Sequence, residues 1–315
     1  LIAGSLYDLC MKEGHYGTVA DWLTRIPEAE TFLNPALRLT AGWQAALSGN
    51  WKRAEHYVGG LIEPHCSNPE LYGEALAIAA VGNSRAERLD AAERYCALYP
   101  ENSPDSLASR SLIHIRAFSA LFRGASEEAR HLLNNIPSDN RFFAQEVFHA
   151  RSLGHIYLWE GRPTLADDAV RRQHAHCEVV AGRRNELTMA LASILAAACW
   201  ERDARDEARA LLAFRFNLSD RAGSLMWSER SYMVQASIAA NDGDEPRAFA
   251  LLEALTSIGT TQGILSIRLM GMVERIRLHA ARHRTGQCQT LLDDLDSLFA
   301  RESHLTPVGL HPLLH

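Results

Sequence analysis

Gly49-Asn50-Trp51-Lys52-Arg53-Ala54, with Tyr57 and Val58 following, and Gly124-Ala125-Ser126-Glu127-Glu128-Ala129, with Leu132 and Leu133 following, are two copies of one pattern. Each has a small pivot residue, apolar or aromatic residues at +3 and +4, and a turn residue at -5. The form recurs in Ala166 after Gly161, in Ala208 after Asp203 with Leu211 and Leu212, and in Ala248 after Gly243 with Leu251 and Leu252. Weaker copies are Val19 after Gly14, Ala92 before Tyr95 and Cys96, and Cys288 before Leu291 and Leu292. Successive pivots stand between 34 and 43 residues apart, the spacing of stacked helix pairs. Eight helical hairpins therefore account for nearly the whole chain.

Outward from each pivot, local chemistry supports a hairpin. Arg141 to Glu160 and Glu186 to Arg202 carry apolar residues at i, i+3, i+4 spacing, as a first helix that buries a face requires. Pro163 and Pro246 stand where second helices begin, a place that tolerates a missing N–H. Pro27, Pro100 and Pro137 fall eight residues past pivots, where proline ends a helix. The pivot is small because two helices cross there, and Gly or Asp at the turn supplies left-handed or capping geometry. No segment sustains strand alternation, so the expected fold is all-α. Arg301 to His315, with Pro307, Gly309 and Pro312, reads as a linker or tail.

Composition agrees. A chain of 315 residues, 47% hydrophobic and 22% charged, is folded and exceeds one usual compact domain, which favours two domains or a repeat array. Met189 to Trp200, the longest nearly apolar run, is shorter than the roughly 20 residues of a membrane span. Leu1 to Met11 has no signal-peptide pattern, so a cytoplasmic location is expected; Leu1 in place of methionine points to a fragment. Six cysteines without a CxxC pair read as free buried thiols. The net charge of -6 opposes direct nucleic-acid contact, which needs surplus Lys and Arg. Lys12 and Lys52 are the only lysines, a bias assigned to genome composition.

The N-terminal third carries a resemblance. Asp21-Trp22-Leu23 with Ile26-Pro27, Asn34-Pro35-Ala36-Leu37, Gly42-Trp43-Gln44-Ala45-Ala46-Leu47-Ser48-Gly49 and Ala54 resemble the entry to the tetratricopeptide-like region of MalT-like, LuxR-type transcription activators. The resemblance spans the chain in architecture and about the first 60 residues in motif. It implies an all-α, right-handed superhelix of about eight tetratricopeptide-like hairpins over residues 1–300 and a tail over 301–315. It further implies a sensor for a small inducer, contacts with other domains or copies of the protein, and no membrane partner. ATP would belong to a module upstream, since no GxxxxGK[ST] loop occurs here; this segment itself is expected to hold no cofactor. A freestanding scaffold that binds a partner protein or peptide is the rival reading.

In such superhelices, residues at -18, -15, -11, -8 and -7 from each pivot face the groove. That offset selects Ser111, His114 and Phe118; Arg151, His155 and Trp159; Trp200; and Arg230 and Ser237. Aromatic faces beside Arg and His donors suit a sugar-like or other small polar ligand; the competing reading makes Phe118, Trp159 and Trp200 inter-repeat core. His174-Ala175-His176-Cys177 has ligand types for a metal, but His176 leaves the face shared by His174 and Cys177, so no metal site is expected. Asn241-Asp242-Gly243-Asp244 echoes a calcium loop whose required glycine is replaced by Arg247; it reads as a turn and N-cap. Arg268, Arg275, Arg277, Arg282 and Arg284 read as a solvated basic face balanced by Asp293, Asp294 and Asp296. No catalytic constellation is present, so the chain is not read as an enzyme.

Overall fold

The computed structural model describes Tyr7 and residues 15–62, 68–99, 105–137, 143–213 and 225–301. Among these residues there is no strand. The helices are α1 (Tyr16–Leu23), α2 (Glu28–Leu33), α3 (Pro35–Leu47), α4 (Trp51–Val58), α5 (Pro69–Arg85), α6 (Leu89–Leu98), α7 (Leu107–Phe122), α8 (Ser126–Asn134), α9 (Phe143–Trp159), α10 (Pro163–Val180), α11 (Glu186–Glu201), α12 (Arg205–Leu212), α13 (Leu225–Asn241), α14 (Glu245–Gln262), α15 (Leu265–Ala280) and α16 (Thr285–Arg301). From α3 onward they pack as consecutive pairs, and the first helix of each pair also packs on the first helix of the next. No described helix is long and apolar enough to cross a membrane.

The pivots explain the pairing. Val19, Ala54, Ala92, Ala129, Ala166, Ala208 and Ala248 are completely buried, while Cys288, in the last pair, is partly exposed. The turn residue five positions earlier is left-handed in every described pair. Gly49, Gly124, Gly161 and Gly243 have φ of 76°, 79°, 67° and 81°, and Glu87, Asp203 and His283 follow at 58°, 62° and 55°. A positive φ reverses the chain in few residues, which lets the second helix fold back on the first.

Helix starts follow side-chain caps. Asn34 accepts from Ala36 N at 3.0 Å and Leu37 N at 3.3 Å; Asn50, Asn68 and Asn185 cap α4, α5 and α11 in the same manner. Asp244 accepts from Arg247 N at 3.2 Å, so the acidic turn is an N-cap, as its sequence indicates. Pro163 opens α10 and Pro246 lies in the first turn of α14. Pro27 immediately precedes a short helix, α2, that the hairpin pattern does not anticipate; proline's fixed φ suits the N-terminal flank as well as the stop. Pro100, Cys10, Cys66 and the proposed tail beyond Arg301 lie outside the described residues.

Two contacts cross the stack. Glu87, between α5 and α6, accepts from Ser266 N at 3.0 Å and also from Ser266 Oγ. Ile264 gives α15 no side-chain cap, so a carboxylate distant in sequence satisfies an N-terminal donor there. The Glu186 carboxylate at the start of α11 accepts from the Gly17 backbone. The stack therefore bends back far enough for its third hairpin to meet its eighth.

The arginine stripe differs from its sequence reading. Arg275 pairs with Glu253 at 3.5 Å, Arg277 with Glu274 at 2.7 Å, and Arg282 with Glu245 at 2.9 Å; Arg284 also meets Glu245. The balancing acids thus come from α14 and α15 rather than from Asp293, Asp294 and Asp296, because side chains reach the helix they pack against or their own next turn.

Candidate functional site: a cavity against the first helices

A cavity of about 170 Å³ lies where α3, α5, α7 and α9 meet the starts of α13 and α15. The -18, -15 and -11 positions before Ala129 place Ser111, His114 and Phe118 on its wall, and the -15, -11 and -7 positions before Ala166 place Arg151, His155 and Trp159 there. Trp43, Leu47, Val81, Ser84 and Arg85 arrive from the two preceding hairpins at the same offsets. The wall is mainly apolar. Phe118 and Phe122 have ring centroids 4.6 Å apart, and Phe122 stands 6.2 Å from Trp159, within the range of favourable aromatic pairs.

Trp200 and Arg230 are not on this wall, and neither is Ser237. Trp200 packs with Ala196, Leu212 and Val234, and the Arg205 guanidinium lies 5.5 Å above its ring. Its offset belongs to the same set, but α11 is covered by the hairpins on either side. Arg230 bears on the site through its charge, which helps lower His155.

Five polar residues of the wall escape the offsets: Gln145, Ser152, Glu229, Glu87 and Ser266. Gln145 lies in the first turn of α9 and Glu229 one turn into α13, both earlier than the offsets sample. The Glu87 to Ser266 tie joins segments 179 residues apart, which no local period encodes.

A relay of hydrogen bonds organises one side. Gln145 Nε2 donates to Ser111 Oγ at 2.9 Å, and Ser111 donates to Leu107 O at 2.7 Å. His114 Nδ1 lies 3.4 Å from Ser152 Oγ. Gln145 Oε1, His114 Nε2 and His155 Nδ1 are out of reach of solvent with no hydrogen-bond partner. His155 Nδ1 faces Glu229 Oε1 at 3.7 Å, beyond a direct bond.

Burial, then the neighbouring His149, push His114 down to about 3. Burial, then Arg230 and Arg151, hold His155 well below the ordinary histidine range. Both imidazoles are therefore neutral at physiological pH, each with one donor and one acceptor nitrogen. Burial lowers Arg151 and raises Glu87 against the opposing bonds from Ser266. In chemical terms the cavity offers hydrogen bonds and aromatic faces.

His174 and Cys177 are buried on one face of α10 while His176 is exposed, as the helical period requires. No group of three or more His, Cys, Asp or Glu able to hold a metal occurs among the described residues. Burial pushes the Cys96 and Cys199 thiols up to about 11 and Cys177 up to about 12, so these are inert core thiols.

Comparison with protein-family models and with curated proteins finds no match for this sequence.

Proposed function

We propose that the chain is the ligand-sensing and self-association region of a MalT-like, ATP-dependent, LuxR-family transcriptional regulator. In this reading residues 1–300 form a right-handed superhelix of tetratricopeptide-like hairpins, residues 301–315 form a tail, and the region is a cytoplasmic non-enzyme. A small inducer occupies the cavity, and the nucleotide module belongs to another part of the regulator. The observation that carries the reading is the cavity itself, whose wall combines aromatic rings with Gln145, His114 and His155, each holding a buried polar atom without a partner. Buried polar atoms without partners are rare and costly, and a ligand with matching groups removes that cost. A histidine titrating near 3 is a poor general base at neutral pH, which favours binding over catalysis.

Glu87 and Ser266, which tie two distant hairpins together, both line the cavity. A ligand with different affinities for the tied and untied states shifts the curvature of the stack and exposes or hides surfaces used for self-association. The rival scaffold, a groove for an extended or helical peptide, calls for polar groups spread along the stack, whereas here they gather at one cavity.

A thermal-shift screen of metabolites tests the reading, since a ligand selective for the folded form raises apparent stability. The hit should shift the parent and fail to shift Arg151→Ala and Trp159→Ala, both checked by circular dichroism for retained helix. Equal shifts in parent and variants contradict the assignment.

A further inference from the structure

We infer that the cavity takes an uncharged molecule of one ring bearing one or two O–H or N–H donors, a phenol-class ligand, rather than a sugar or an organic anion. The inference rests on the sensing assignment above and deepens it. Size sets the first limit. About 170 Å³ is close to engineered cavities of ~150 Å³ that admit benzene, so one ring with a substituent fills it.

Charge sets the second limit. Arg85 and Arg151 share the wall with two carboxyl groups, Glu87 and Glu229, and Glu87 is already engaged by Ser266. The two histidines add no charge at neutral pH, because burial suppresses their protonation. A charged ligand would bring an unbalanced charge into a desolvated space.

Hydrogen-bond supply sets the third limit. Gln145 Oε1 can only accept, and the unpartnered nitrogens of His114 and His155 accept or donate according to tautomer. Gln145 therefore calls for one donor on the ligand, and an imidazole in the accepting tautomer takes a second. A hexose carries several more hydroxyls than that, and the remaining wall, with Phe118, Phe122 and Trp159, leaves them unsatisfied.

Calorimetric titration of the full chain with phenol, toluene, glucose and benzoate tests this directly. Phenol should bind at least tenfold more tightly than toluene and than either polar probe. Gln145→Leu, which removes the acceptor while keeping the apolar wall, should bring phenol and toluene within about threefold of each other. Because that comparison is internal to one variant, altered overall stability does not mimic it. Tighter binding of glucose or benzoate overturns the ligand class and leaves the sensing cavity standing. Equal affinities for phenol and toluene in the parent overturn the donor requirement. Failure of all four to bind overturns this inference, while the sensing assignment stands or falls on the metabolite screen.

Discussion

At Glu87 and His283 the backbone adopts φ of 58° and 55°, a left-handed conformation that few L-residues accept without strain. His283 closes a turn equivalent to those made by Gly49 and Gly124, so His283→Gly should raise stability by about 0.5–1 kcal/mol, the strain relieved less the extra chain entropy. Gly124→Ala, at φ 79° in open space, should lower it by about 1–2 kcal/mol; urea denaturation reads both. The sequence identifies these turns where they hold Gly or Asp. It conceals Glu87 and His283, whose side chains carry no turn preference. Arginine is likewise misread from composition alone. Arg110, almost fully buried, forks onto Asp105 at 2.8 and 2.7 Å, and Arg171 forks onto Asp167 at 2.6 and 2.8 Å, a geometry lysine cannot reproduce. Burial alone would raise Asp167, but bonds from Arg171 and the charges of Arg171 and Arg202 outweigh it and hold the carboxyl below the usual aspartate value. A depressed folded-state pKa stabilises above the unfolded pKa and is lost as pH falls through the folded one. Stability should therefore decline as the pH falls from about 4 toward that lower value, and the decline should be shallower in Asp167→Asn.

Between helices, the crossing of each hairpin depends on the size of one side chain. Ala166 is fully buried between α9 and α10, where Gly154 already lies close to Val170 and Ile194. Ala166→Leu should cost about 1–3 kcal/mol by overpacking, while retaining helical circular dichroism. A similar change at Cys288, which is only partly buried, should cost less. Pivot spacing made these elements legible because crossing helices repeat one steric demand at one interval. The short helix α2 was not legible, since a single turn and a half anchored by Pro27 and Asn34 carries no period.

Across the whole molecule, one wall of the cavity was readable and its closure was not. His114, Phe118, Arg151, His155 and Trp159 sit on successive first helices, and the offsets -15, -11 and -7 locate them all. Trp200, at -8 from Ala208, belongs to the same set of offsets but packs with Ala196, Leu212 and Val234, so the offsets specify direction and curvature decides exposure. The crossing tie from Glu87 to the start of α15 depends on the cumulative bend of several pairs. Glu87→Ala removes a buried cap from α15 and should cost about 1–2 kcal/mol, with faster amide exchange at Ser266 and Ile267 than in the parent.

Hydrogen exchange of the full chain, with and without the ligand that gives the thermal shift, addresses the cavity and its closure together. Binding within the cavity should protect α7, α9 and the first turn of α15 in concert, although these segments are far apart in sequence. Protection confined to outer faces of the second helices, or unchanged exchange at the start of α15, would contradict the account.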